Sequence, residues 1–345
     1  MRLALVGATG VVGDTILRVL EERAVPITLL DAFASRARDE ALRFRGAALS
    51  VRAATPEALA AGRYDAVLFA SSEDASAELA PAVLASGAVV IDNSATYRLD
   101  EAVPLVVPEV NADAIGPDDV LFPVANCSAI VLVVALAPVL RAAGLRAVRV
   151  ATYQAVSGAG RAGLEALAGE ERSAGAGGEG ERHPGSPFRA PIFRNVVPQV
   201  GGFDELGDSG EEKKIVAETR KILGLPNLHV AATTVRVPVR RAHSEAVFFK
   251  TARETSVAEL GAALAAAPGV VFHPHGIVTP RDVEGQDLVH VARLRAEEGS
   301  RRHFQMWVVG DQLRKGAATN AVQILETLHG RGRFAGRGAA QEVVI

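Results

Sequence analysis

The feature that most restricts the fold is the run Val6-Gly7-Ala8-Thr9-Gly10-Val11-Val12-Gly13. It follows a β-rich segment, Arg2 to Val6, and opens an apolar-periodic one, Val11 to Glu22, so its G-x-x-G-x-x-G spacing falls at a strand-to-helix turn. Glycine there lets the backbone turn tightly and approach a pyrophosphate, whose charge meets free N–H groups and the positive end of the helix dipole. The same glycines could serve only to pack a helix on a strand, but the register of strand, turn and helix favours a dinucleotide site. Ile27 to Leu30, Ala66 to Ser71, Asp74 to Ala85 and Val89 to Asp92 continue the alternation of β-rich and helical runs. It predicts βαβ units and a parallel, Rossmann-type sheet.

A chain of 345 residues exceeds one ordinary core, and its pattern changes midway. From Arg146 the β-rich runs lengthen: Arg146 to Ala155, Leu228 to Val239, Ala246 to Thr251, Leu288 to Arg295 and His303 to Val309. They predict a second, α+β domain with a mixed or largely antiparallel sheet. Gly175 to Pro187 reads as a solvated excursion, Leu313 to Leu328 as a final helix, and Gly330 to Gly338 as a fraying tail. The 37 basic and 40 acidic residues leave a net charge of -3 with no basic stripe, which argues against nucleic acid as a partner. No signal-peptide pattern opens the chain. The longest apolar run, Ala129 to Leu140, is too short for a bilayer and contains Pro138, so a cytoplasmic protein with no membrane partner is expected, and no metal site.

Cys127 is the single cysteine, so no internal disulfide can form. It stands in Pro123-Val124-Ala125-Asn126-Cys127-Ser128, just before the apolar helix, where unpaired N–H groups would favour the thiolate; the competing reading is a small buried core residue. Thr152 to Gly160 ends a strand with Gln154 and a glycine turn, suited to orienting a carbonyl or a nicotinamide. Val235 to Glu245 carries a cationic fork and His243, suited to a carboxylate and to proton chemistry. Glu211-Glu212-Lys213-Lys214 opens a helix, a charged solvated face unless a ligand lies near. At the ribose end, Asp31 suits the 2′-hydroxyl of NAD and Arg36 the 2′-phosphate of NADP, and the residues leave both open.

Gly7 to Gly13, Asn126-Cys127-Ser128, Thr152 to Gly160, Val235 to Pro238 with Ala242 to Glu245, and Met306 to Val309 through Lys315-Gly316-Ala317-Ala318 together resemble the aspartate-β-semialdehyde dehydrogenases, in the family's order. The resemblance implies NADPH-dependent reductive dephosphorylation of β-aspartyl phosphate to aspartate β-semialdehyde through a cysteine thioester, a step toward lysine, diaminopimelate, threonine and methionine. It implies Cys127 as nucleophile and His243 as general acid/base, Asn126 as a substrate-binding residue, Gln154 positioning the substrate near the thiol, Arg236 on the α-carboxylate, Glu211 on the α-ammonium, and Arg98 and Lys214 on phosphate. Gly7, Thr9, Gly10, Val11, Val12, Arg36, Ser157, Gly158 and Gln312 would contact NADP. It also implies residues 1–126 as the dinucleotide-binding domain, completed by a helix over 312–330, with 127–311 as the catalytic and dimerisation domain, 331–345 as a tail, and a homodimer or homotetramer. The competing readings are an N-acetyl-γ-glutamyl-phosphate reductase, a thiol hydrolase with no use for the glycine turn, and a non-catalytic paralogue.

Overall fold

The computed structural model describes residues 1–176 and 181–334; residues 177–180 of the expected excursion and 335–345 of the expected tail lie outside them. The chain divides into two compact units, Met1–Ala125 with the segment from Ala317, and Asn126–Gly316.

The first unit holds a seven-stranded sheet of β1 (Arg2–Val6), β2 (Leu29–Ala34), β3 (Arg38–Phe44), β4 (Ala47–Ala53), β5 (Ala66–Phe69), β6 (Val89–Asp92) and β7 (Leu121–Pro123), in the order β3-β4-β2-β1-β5-β6-β7. All pairings are parallel except the β3–β4 hairpin at the edge. Helices α1 (Val11–Glu22), α2 (Pro56–Ala61), α3 (Glu73–Ala85) and α4 (Pro108–Asn111) connect these strands. The closing helix, Thr319–Gly330, packs against α1, where Arg23 pairs with Glu326, and against α4, where the Asn320 amide donates to the Val106 carbonyl just before that helix. Winding reverses between β1 and β5, the crevice where open α/β sheets take their ligands.

Two local expectations change. The second strand runs over Leu29–Ala34 rather than Ile27 to Leu30, which moves Asp31 from the strand end to its middle. The hairpin of β3 and β4 escapes notice in the sequence because charge on a sheet edge reads as loop.

The second unit holds a mixed six-stranded sheet of β8 (Leu145–Gln154), β9 (His229–Arg236), β10 (His243–Thr251), β11 (Val270–His273), β12 (Val289–Ala296) and β13 (His303–Gly310), in the order β11-β12-β13-β10-β8-β9. The β8–β9 and β11–β12 pairs are parallel and the rest antiparallel. Helices α5 (Cys127–Ala143), α6 (Gly160–Gly175), α7 (Gly210–Leu223) and α8 (Val257–Ala265) belong to this unit, with α5 and α7 packed together over one face of the sheet. Residues of α5 from Ser128 to Val139 are buried, including Pro138, which explains the long apolar run without a membrane. Among the described residues no helix is long and apolar enough to cross a bilayer. Gln312 to Gly316, expected to begin the last helix, clusters with this unit instead. Arg314–Ala318 forms a π-helical turn before the regular helix starts at Thr319, because the buried Asp311 carboxylate accepts from the Leu313 and Arg314 amides and holds the chain in a tight turn.

The three glycines of the first turn do unequal work. Gly7 has a φ of +82°, and a Cβ there would meet the Ala70 oxygen at 2.3 Å; one on Gly13 would meet the Gly7 oxygen at 2.2 Å; one on Gly10 would sit 3.3 Å from that oxygen. Gly7→Ala should therefore cost roughly 3 kcal/mol or more, the sum of a left-handed φ and an overpacked contact, and Gly13→Ala roughly 1–3 kcal/mol. Gly10→Ala should be the mildest of the three, a ranking that urea-denaturation midpoints will check.

Candidate active site

Cys127 is half-buried at the first position of α5. Asn126 caps that helix: its Oδ1 accepts from the Ser128 amide at 3.0 Å and the Ala129 amide at 3.1 Å, and its carbonyl accepts from Ile130. The backbone donors expected to face the thiol are thus largely taken by the cap. The Asn126 amide in turn donates to the buried Glu218 carboxylate on α7, which fixes where the helix begins. On its other flank the thiol residue meets Gly316, where an added Cβ would lie 2.9 Å from the Cys127 Cβ.

The sheet delivers the remaining groups. Gln154 ends β8 and lies in parallel register with Arg236 at the end of β9, while the neighbouring Ala155 amide donates to His243 Nδ1 at 3.0 Å. Gln154 is buried; its Oε1 accepts from the Thr152 hydroxyl and its Nε2 donates to Glu211 Oε1 at 3.0 Å. Glu211 is placed by the Ser209 capping box of α7, in which Glu212 returns to the Ser209 amide. Lys214 follows three residues later on the same helix face, half-buried. Arg236 is buried, donates from Nη1 to the Ala155 carbonyl at 2.7 Å, and lies over the Phe188 ring. Burial lowers the basicity of its guanidinium, an effect that Glu211 and then Cys127 offset only in part.

His243 is fully buried, and among the described residues its Nε2 has no hydrogen-bond partner. Burial, followed by the adjacent Arg236 charge, holds its basicity well below the ordinary imidazole range; the Ala242 carbonyl pulls the other way and is outweighed. Gly158 lines the gap between these two groups: a Cβ there would lie 2.7 Å from Arg236 Nη1 and 3.2 Å from His243 Nε2. Gln312 braces the same wall, donating to Ser157 Oγ and accepting from the Ala242 amide at 2.8 Å.

Cys127, Asn126, Gln154, Glu211, Arg236, His243, Ser157, Gly158 and Gln312 therefore belong to one constellation in the second unit, with Lys214 on its helix. The glycine turn, Arg36 and Arg98 belong to the first unit. There Arg98 is buried and donates to the Asn93 carbonyl at 2.7 Å. Gly10 caps α1 without a side-chain acceptor, which leaves the first amides of that helix for a ligand. The close approach at Gly7, that bare helix start and the sheet crevice all fit a dinucleotide pyrophosphate.

Comparisons with known proteins place the whole chain. Family models match residues 2–117 as the semialdehyde dehydrogenase NAD binding domain and residues 136–315 as the semialdehyde dehydrogenase dimerisation domain. An aspartate-semialdehyde dehydrogenase of Aquifex aeolicus is 43% identical over 340 residues, 95% of this chain and 97% of that protein. The chain belongs to the aspartate-semialdehyde dehydrogenase family. Among solved structures, aspartate semialdehyde dehydrogenase II from Vibrio cholerae superposes with a TM-score of 0.91 at 38% identity, covering 95% of this chain and 98% of that one. A second structure of the Vibrio protein, complexed with ASA, superposes equally well at 37% identity.

Sequence reasoning did not single out Glu245. It lies two residues along β10 from His243, hence on the same sheet face, opposite Thr152 of β8, and is fully buried. Among the described residues neither of its oxygens has a partner, and burial pushes the carboxyl well above its usual range, so it is held neutral. Its only signal in the sequence is an acidic residue inside a strand. A carboxyl whose proton is retained on folding stabilises fully at acid pH, and that stability is lost as pH rises above the unfolded value near 4.5. Glu245→Gln, which carries no charge, should gain on the wild type in melting temperature as pH rises from about 4.5 to 8. A constant difference across that range would mean that Glu245 is ionised in the fold. His243, with its value depressed, has the opposite sign: its contribution is complete above pH 6.5 and is lost on acidification.

Proposed function

We propose that the protein catalyses NADPH-dependent reductive dephosphorylation of β-aspartyl phosphate to aspartate β-semialdehyde, the reverse of phosphorylating aldehyde oxidation. The observation that carries this reading is the placement of Arg236 and Glu211 on either side of Gln154. One group suits an α-carboxylate and the other an α-ammonium, as a free amino acid requires. An N-acylated substrate has no α-ammonium and would leave Glu211 facing an uncharged amide, which disfavours the N-acetyl-γ-glutamyl-phosphate reductase reading.

In this reading Cys127 Sγ attacks the acyl phosphate carbonyl; the C–S bond forms, the C–O bond breaks, and phosphate leaves with the electron pair and takes a proton from solvent. Bound NADPH supplies the hydride that reduces the resulting thioester. Gln154 orients the acyl group over the thiol, and His243 Nε2 serves the oxygen that gains charge when the carbonyl becomes tetrahedral. Arg98 and Lys214 are assigned to phosphate. For the cofactor, Asp31 is occupied within its own unit, accepting from the Tyr64 hydroxyl and pairing with Arg52, whereas Arg36 lies exposed just beyond the end of β2. That arrangement supports Arg36 on a 2′-phosphate and hence NADP. A homodimer is supported by the open face of the second sheet, where Tyr153 and Phe248 are exposed and Tyr153 packs against Trp307.

A reverse assay tests the activity: aspartate semialdehyde and phosphate with NADP should yield NADPH, and turnover without phosphate or arsenate would refute it. Cys127→Ala should abolish turnover and leave NADP binding intact. Arg98→Ala and Lys214→Ala should raise the phosphate KM selectively, and Arg236→Leu the semialdehyde KM, by amounts matching the roughly 2–5 kcal/mol commonly lost with one partner of a buried ion pair. Arg36→Ala should weaken NADP far more than NAD in a fluorescence titration; equal losses would remove Arg36 from the phosphate.

A further inference from the structure

Residues 181–200 continue the stretch whose composition reads as solvated up to Pro187, and they form no regular helix or strand. They are nonetheless pinned at several points. Arg182 donates from Nε to the Phe188 carbonyl at 2.6 Å and from Nη2 to the Ser186 carbonyl at 2.7 Å. Val197 and Arg236 exchange both backbone hydrogen bonds, each at 2.8 Å. Phe188, Ile192 and Val197 are buried against Val156, Ala166 and Leu167, so the segment lies packed on α6 and on the turn that precedes it.

The tie that gathers most donors comes from Glu170 of α6, a buried residue outside the constellation described above. Its Oε2 accepts from the Ile192 amide at 2.6 Å and the Phe193 amide at 2.8 Å, and its Oε1 from the His183 amide at 3.1 Å. A carboxylate accepts at both oxygens and so can meet three converging donors, with bonds stronger than a neutral acceptor would make. What this clamp carries is Phe188, whose ring lies against the Arg236 guanidinium with its centroid 5.7 Å from Cζ. The Ala155 carbonyl holds the guanidinium at Nη1, about which the planar group could still turn; a ring against its face fixes the plane. Arg236 and Phe188 face a cavity of about 300 Å³ whose lining, among the described residues, adds Arg182 and Arg189 and has no acidic side chain. An anion suits such a cavity.

We propose that Glu170 is a positioning residue for the substrate's α-carboxylate: by clamping residues 183–193 it sets the Phe188 ring against Arg236, and the ring fixes the plane in which the guanidinium meets that carboxylate. This rests on the assignment of Arg236 to the α-carboxylate above and identifies what orients it. Two parallel N–H···O bonds between a guanidinium and a carboxylate need the groups to be coplanar, so a guanidinium turned out of plane keeps its charge and loses one of the two bonds. The loss falls on the amino-acid end of the substrate and leaves the thiol, the phosphate contacts and the cofactor as they are. A clamp that served stability alone would lower the melting temperature and leave every KM of the folded enzyme unchanged.

Steady-state kinetics of the full chain in the reverse assay, with melting temperatures alongside, test this. Phe188→Leu, which nearly keeps the volume and removes the ring, should raise the semialdehyde KM about 3- to 30-fold, the range of a cation–π contact, while kcat changes less than about threefold and the phosphate and NADP constants less than about twofold. Glu170→Ala should raise the same constant by a similar factor, and Glu170→Gln, which keeps one accepting oxygen, by less. Combined with Phe188→Leu, either Glu170 variant should add almost nothing, because both changes act through one ring. Should Glu170→Ala fail to fold, Glu170→Gln completes the cycle. Factors that multiply in the double variant, an unchanged semialdehyde KM in Phe188→Leu, or Glu170 variants that lose melting temperature and keep every KM would each overturn the proposal. A wild type without turnover would overturn the phosphorylating reading and this proposal together, whereas an active wild type with unaffected variants would overturn this proposal alone.

Discussion

The double pairing of β8 is the constraint on which the site depends. Bonded in parallel to β9 and antiparallel to β10, this strand brings residues from three distant parts of the chain to one sheet end: Gln154, Arg236 and His243. Strand pairing fixes register to a whole residue, and a slip of one would turn Gln154 to the opposite face of the sheet, where Tyr153 now stands. The site's chemistry is thus set by backbone hydrogen bonds, and side-chain packing refines it.

Burial at that sheet end has a second consequence. Arg236, His243 and Glu245 are all removed from water, and each responds differently because its partners differ. Arg236 keeps a charge that Glu211 and Cys127 support; His243 stays neutral because a guanidinium stands beside it; Glu245 stays neutral because nothing offsets its desolvation. One desolvated layer therefore holds three ionisable side chains whose charges burial shifts in different ways.

The helix carrying Cys127 is anchored just as specifically. Asn126 consumes the donors of its first turn, Glu218 holds the Asn126 amide, and Gly316 admits the Cys127 side chain where any larger residue would collide. The buried Asp311 shapes the turn that brings Gly316 there: it accepts from the Leu313 and Arg314 amides and from the Arg241 guanidinium. These are positioning contacts, and they explain why glycine, asparagine and aspartate occur at points where the sequence alone suggests only loops.

The sequence by itself determined the parallel alternation of the first unit, the glycine turn at its first strand, the change to longer strands near Arg146 and the residues able to carry chemistry. These follow from local periodicity and from the intrinsic demands of glycine, both properties of neighbouring residues. It did not reveal the charged hairpin of β3 and β4, the mid-strand place of Asp31, the π-turn at Arg314–Ala318 or the buried Glu245. Only the tertiary structure decided these, because edge pairing, desolvation and the partner of a carboxylate are set by residues far away in the chain.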